Sequence, residues 1–236
     1  AKGTAHISGL LDSDDTNSTI NCLQKFGVDI QKDSDGSILI FGKGMRALTE
    51  PIDVLDCGNS GTTMRLLSGI CAGVSGISIL TGDDSLRSRP MDRIVKPLTL
   101  MGAQILARNN NSLPPVIIKG GKMIGGQRIT PSAASAQVKS AIAGLYADGE
   151  TTIMESKTTR DHTEKLLGVM GAQFSIEGNE ITLIPPQNDL SAVDVTVPGD
   201  ISTAAVWIVV ASIHPDAELV LRNVGINETR SGLIDI

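Results

Sequence analysis

Four short segments carry residue types suited to binding anionic substrates. Residues 56–65 read Asp-Cys-Gly-Asn-Ser-Gly-Thr-Thr-Met-Arg, a glycine- and hydroxyl-rich run that enters a helical pattern. Free backbone amides and the positive end of the helix dipole make such a start an anion site. The same run also reads as a plain N-cap with turn glycines. It lacks the Gly-Lys-Ser/Thr ending of a nucleotide-binding P-loop. The second segment is Arg87, Ser88, Arg89 and Pro90. Two arginines at the positive end of a helix that Pro90 opens are unfavourable unless an anion intervenes, and a guanidinium fork suits phosphate or carboxylate. A solvated charged loop is the alternative. The third is residues 131–139, Pro-Ser-Ala-Ala-Ser-Ala-Gln-Val-Lys, where a serine-rich helix start precedes Gln137 and Lys139. It serves either a polar anionic ligand or simple capping and small-residue packing. The fourth is residues 158–164, Thr-Thr-Arg-Asp-His-Thr-Glu. Here Arg160 repeats the placement of Arg89, Asp161 or Thr159 can cap the helix with Glu164 completing a capping box, and His162 is either a general base or a capping residue.

The elements that must position these segments follow an internal repeat. Phe-Gly-Val-Asp-Ile at 26–30, Met-Gly-Ala-Gln-Ile at 101–105 and Met-Gly-Ala-Gln-Phe at 170–174 match one another. Each ends a short amphipathic helical pattern: one at 14–26, one opening at Pro90 and one opening near Asp161. Glycine after the last apolar residue is a helix stop, and Pro97 is expected to bend the second helix. A hairpin follows each glycine, with returning strands at 37–41, 116–119 and 180–184 and turns at 35–36, 109–111 and 178–179. Second helices at 60–72, 132–147 and 202–213 come next, then strands at 77–80, 151–155 and 218–222, with 4–8 matching that last strand. Three copies of such a unit predict an α/β (α+β) lobe with pseudo-threefold symmetry. The second helices are its inner ones. Residues 204–213 are apolar on nearly every side, which predicts burial.

Composition narrows the classes. A chain of 236 residues with 41% hydrophobic residues can bury a sizeable core. A net charge of −6 argues against nucleic acid as a partner. No run of 18 apolar residues predicts a membrane span. Three cysteines, Cys22, Cys57 and Cys71, without metal-ligand spacing suggest reduced thiols and a cytoplasmic protein. No Ser–His–Asp triad, metal cluster or dinucleotide fingerprint is visible. The last residues, Leu233 to Ile236, read as the start of a helix, as in an excised fragment.

Taken together, seven motifs in order resemble the enolpyruvylshikimate-phosphate synthase family. They are Leu-Leu-Asp-Ser-Asp-Asp-Thr at 10–16, Gly-Asn-Ser-Gly-Thr-Thr-Met-Arg at 58–65, Leu-Thr-Gly-Asp at 80–83, Arg-Ser-Arg-Pro-Met at 87–91, Ser-Ala-Gln-Val-Lys-Ser at 135–140, Thr-Arg-Asp-His-Thr-Glu at 159–164 and Val-Pro-Gly-Asp-Ile-Ser at 197–202. The resemblance implies the enolpyruvyl transferase fold, two lobes each of three βαβαββ units. Residues 1–197 would form one lobe, and 198–236 the crossover and start of the other. It also implies enolpyruvyl (carboxyvinyl) transfer from phosphoenolpyruvate to shikimate 3-phosphate, in aromatic amino-acid biosynthesis, with no metal or organic cofactor. By resemblance, Asn59, Gly61, Arg89 and Gln137 would bind phosphoenolpyruvate. Ser135, Ala136, Gln137, Thr159 and Arg160 would bind shikimate 3-phosphate. Gly61 stands where several glyphosate-tolerant members carry alanine. The family's Lys-Ser pair and following Arg are not found in these residues, and the carboxylates and cationic clamps of the other lobe would lie beyond residue 236. The chain alone is therefore expected to bind substrates weakly and show no turnover. The alternatives are a non-catalytic binding half and the related transferase acting on UDP-N-acetylglucosamine.

Overall fold

The computed structural model describes residues 1–130, 142–155 and 161–234. Three four-stranded sheets share one construction. In the first, β1 (Lys2–Ser8) is followed by α1 (Asp14–Lys25) and the hairpin β2 (Asp29–Lys32) and β3 (Ile38–Lys43). In the second, β4 (Leu55–Asp56), α2 (Gly61–Gly73) and β5 (Gly76–Thr81) precede the short α3 (Asp84–Arg87), α4 (Asp92–Leu100) and the hairpin β6 (Gln104–Ala107) and β7 (Leu113–Gly120). In the third, β8 (Gln127–Ile129) and β9 (Thr151–Met154) precede α5 (His162–Val169) and the hairpin β10 (Gln173–Glu177) and β11 (Glu180–Ile184). β12 (Val195–Thr196) and α6 (Ile201–Ile213) follow.

The pairing repeats three times. A short strand lies parallel to a longer one, β4 on β5 and β8 on β9, and the longer strand is antiparallel to the returning strand of its hairpin. In the first sheet the short parallel strand comes from the far end of the chain: Ile7 pairs with Val195 and Ser8 with Thr196. The second unit shows the order strand–helix–strand–helix–hairpin in full, and β12 completes the sheet that β1 begins.

The matching glycines explain the repeat. Gly27, Gly102 and Gly171 follow the C-caps of α1, α4 and α5 with φ of +82°, +94° and +101°, the left-handed region that favours glycine. Behind each, the amide of the next residue reaches back five positions: Val28 to the Leu23 carbonyl, Ala103 to Leu98 and Ala172 to Leu167. These are Schellman closures, and they turn each chain from its helix into its hairpin. The hairpin turns also hold left-handed residues, at Gly36, at Asn109, Asn110 and Asn111, and at Gly178.

The main core lies in the second unit. Met64, Leu67 and Cys71 of α2 pack with Leu80, Leu86, Met91, Ile94, Leu98, Met101, Val116 and Ile118, all buried. The expectation of an inner second helix holds for α2, whose buried residues also include Gly61, Thr63, Ser68, Gly69 and Ala72. It does not hold for α6. There only Ile201 and Ala204 are buried, while Val206, Trp207 and Ile213 are exposed, because no described element covers them. The expected strand at 218–222 is absent; those residues are irregular, with no strand paired to them among the described residues. α4 continues through Pro97, whose ring is buried, and begins at Asp92, two residues beyond Pro90. Residues 228–230 and 232–234 form turns, and Asp235 and Ile236 of the expected opening helix lie outside the described residues. The expected helix at 132–147 lies largely outside the described residues. Among the described residues, no helix is long and apolar enough to cross a membrane.

Candidate functional site

Parallel pairing of β4 with β5 brings two loops together at the strands' C-terminal ends, where ligands bind in open sheets with parallel strands. The Cys57 amide donates to the Thr81 carbonyl at 2.9 Å, and the Asp83 amide to the Gly58 carbonyl at 2.9 Å. A Cβ on Gly82 would overlap that same Gly58 carbonyl, so only glycine permits the approach. From this double loop α2 starts. Ser60 is its N-cap, with Oγ accepting from the Thr63 amide at 3.2 Å. The amides of Gly61 and Thr62, in the first turn, have no intrahelical acceptor.

Two guanidiniums flank this helix start. A Cβ placed on Gly61 would stand 3.3 Å from Arg89 Nη1 and 3.4 Å from Arg65 Nη1. Arg89 Nη2 donates to Asn59 Oδ1 at 2.6 Å and to Ser85 Oγ at 3.3 Å. Arg65 Nε is buried without a hydrogen-bond partner. Burial first, then the neighbouring charges of Arg93 and Arg89, push the Arg65 pKa below its ordinary value. None of the three arginines forms an ion pair with a described carboxylate. Positive charge, a helix N-terminus and a bare glycine surface therefore meet at one place, which suits an ionised phosphate or carboxylate.

The structure thus gathers three of the expected residues, Asn59, Gly61 and Arg89. It separates Arg87 from them: that guanidinium donates to the Gly82 carbonyl and pairs with Asp84. Arg65 and Arg93 were not singled out as site residues. Arg65 was legible in principle, because four residues from Gly61 places it on the same face of α2. Arg93 lies in the first turn of α4 and Arg89 in the loop before it, so their spacing gives no such signal.

Ser135, Ala136, Gln137, Thr159 and Arg160 lie outside the described residues. His162 opens α5 and lines a cavity of about 220 Å³ with Asp200, Asn227 and Arg230. Asp161 occupies the N-cap position of α5 but makes no capping bond. Its carboxylate is engaged instead by Lys165 at 2.7 Å and by Asn227 Nδ2 at 2.7 Å, and the other expected cap, Thr159, lies outside the described residues. Lys165 and then Asn227 hold that carboxyl below the usual carboxylate range. The three cysteines are buried and unpaired. Burial pushes the Cys71 thiol up to about 12.

Three repeated sheets, with an arginine-flanked helix start at the ends of two parallel strands, mark the class as a lobe of the enolpyruvyl transferase fold. The family model described as EPSP synthase (3-phosphoshikimate 1-carboxyvinyltransferase) matches residues 1–236, and the chain belongs to that family. The 3-phosphoshikimate 1-carboxyvinyltransferase of Thermodesulfovibrio yellowstonii is 49% identical over 238 residues, covering 100% of this chain and 55% of the relative. That of Syntrophomonas wolfei is 47% identical with the same coverage. An EPSP synthase structure from Acinetobacter baumannii superposes with a TM-score of 0.92 at 43% identity, covering 100% of this chain and 53% of that one. The chain spans about half the length of the relatives it matches.

Proposed function

We propose that this chain forms the substrate-binding lobe of an enzyme that transfers the enolpyruvyl group of phosphoenolpyruvate to the 5-hydroxyl of shikimate 3-phosphate. The observation that carries the proposal is the meeting of Arg89 and Arg65 beside Gly61 at the N-terminus of α2. In the reaction the hydroxyl oxygen bonds to C2 of phosphoenolpyruvate, C3 gains a proton and the hydroxyl loses one. The tetrahedral adduct then loses a C3 proton as the C2–O bond to phosphate breaks. A site of fixed donors on the phosphate and carboxylate holds C2 for attack and favours phosphate as it leaves.

Asn59, Gly61, Arg89 and Gln137 form the phosphoenolpyruvate side of this reading, with Arg65 added by the geometry. Ser135, Ala136, Gln137, Thr159 and Arg160 form the shikimate 3-phosphate side. Chain order supports that assignment. Residues 131–141 follow β8 as the Cys57–Ser60 loop follows β4, and residues 156–160 follow β9 as the Arg89 loop follows β5. Residues 1–197 make the three-repeat lobe, since β12 closes the first sheet at Thr196. Residues 198–236 begin the next part of the molecule. A cytoplasmic location goes with this reading.

Amide NMR of the chain titrated with shikimate 3-phosphate, and separately with UDP-N-acetylglucosamine, tests the acceptor. Shifts at Ser135, Gln137 and Arg160 are expected with the first ligand only. The reverse pattern would assign the chain to the sister transferase.

A further inference from the structure

We propose that Asp83 is a positioning residue: acting through the side-chain amide of Asn59, it aims the Arg89 guanidinium at the anion site without forming an ion pair with it. This rests on the phosphoenolpyruvate reading for its consequence, although not for its geometry.

Asp83 stands at the tip of the loop after β5 and makes three bonds at once. Its amide donates to the Gly58 carbonyl at 2.9 Å, Oδ1 accepts from the Leu86 amide at 2.7 Å, and Oδ2 accepts from Asn59 Nδ2 at 2.6 Å. Asn59 then accepts from Arg89 through Oδ1 at 2.6 Å. A guanidinium has only donors, and an ionised carboxylate only acceptors. Asn59 is therefore fixed in one of its two amide orientations from both sides. Asn59 first, then the Leu86 amide, hold the Asp83 carboxyl below the usual carboxylate range, so the acceptor-only form persists at neutral pH.

The indirect arrangement has a chemical purpose. A carboxylate bonded straight to Arg89 would hold it equally well but would neutralise it. No such ion pair exists among the described residues. The amide between them transmits direction without a direct ion pair, so the pull between Asp83 and Arg89 ranks behind the Asn59 and Leu86 bonds, and Arg89 Nη1 is left facing Gly61.

Asp83→Asn separates this role from the helix cap. The new side chain keeps an oxygen for the Leu86 amide but turns an NH2 group toward Asn59 Nδ2. Two donors then face each other. If Asn59 flips to relieve them, its own NH2 group meets Arg89. Asp83→Ser keeps a capping oxygen and removes the relay, since Ser is an N-cap former. Side-chain NMR of the ligand-free chain reads the effect directly. In the unsubstituted chain the Asn59 NH2 signals and hindered, resolved Arg89 Nη signals are expected; in both variants the Arg89 signals should average and the Asn59 signals shift. The Leu86 amide should stay protected. Phosphoenolpyruvate should bind roughly tenfold more weakly, the size of one lost charge-assisted hydrogen bond. Unchanged Asn59 and Arg89 signals in Asp83→Asn would overturn the proposal. Changed signals with phosphoenolpyruvate affinity unaltered would uphold the positioning and refute the substrate assignment.

Discussion

Gly61 is where the candidate site is narrowest. Its missing side chain leaves two guanidiniums within reach of one anion, and a methyl group there would stand 3.3 Å from Arg89 and 3.4 Å from Arg65. Those distances are tight enough that the arginine tips must yield. Gly61→Ala should therefore keep or slightly raise stability, since alanine is favoured in a helix over glycine by about 1 kcal/mol. It should weaken phosphoenolpyruvate binding several-fold in a calorimetric titration. Equal affinity would show that the site lies elsewhere. At this scale the sequence exposed the glycine, the asparagine and one of the two arginines before Pro90. Residue types alone did not tell Arg87 from Arg89; the family resemblance named Arg89, and the fold shows Asp84 and the Gly82 carbonyl claiming Arg87. The sequence also passed over Arg65, which looks like an ordinary helix residue until the loop with Arg89 folds beside it.

The elements meet most tightly where α2 ends. Tyr146 packs on Gly73 so closely that a Cβ there would overlap its ring, which ties the third unit to the second. Burial, then the nearby Cys71, push its phenol pKa up to about 12. Folding thus favours the protonated form. The stability this adds is complete below the unfolded value of about 10 and is lost as pH rises through about 12. Tyr146 is the one tyrosine of the chain, so absorbance titration reads it alone. A midpoint near 12 in the folded protein is expected, and a midpoint near the free value of about 10 would contradict the packing. Helices α1, α4 and α5 were legible from periodicity and their glycine stops, and α2 from its place in the repeat. β4, β8 and β12 were not, because two or three residues cannot display alternation. The apolar run Leu219–Leu221 suggested a strand, yet a strand needs a neighbour, and none is described beside it.

At the scale of the whole molecule, the threefold repeat was legible from three glycines, but the closure of the first sheet by β12 was not. Residues 7 and 195 are joined only by the fold. The burial expected of α6 failed for the same kind of reason: an all-apolar helix states that it needs a cover without saying which residues supply it. The symmetric lobe places one helix start, that of α2, beside two guanidiniums that form no ion pair among the described residues, and the central claim is that this place receives phosphoenolpyruvate. The most direct measurement is a calorimetric titration of phosphoenolpyruvate into the chain and into Arg89→Ala. Saturable one-to-one binding is expected in the unsubstituted chain, weakened roughly tenfold or more by the substitution, as for a lost charge-assisted contact. Binding that is absent in the unsubstituted chain, or equal in both proteins, would contradict the account.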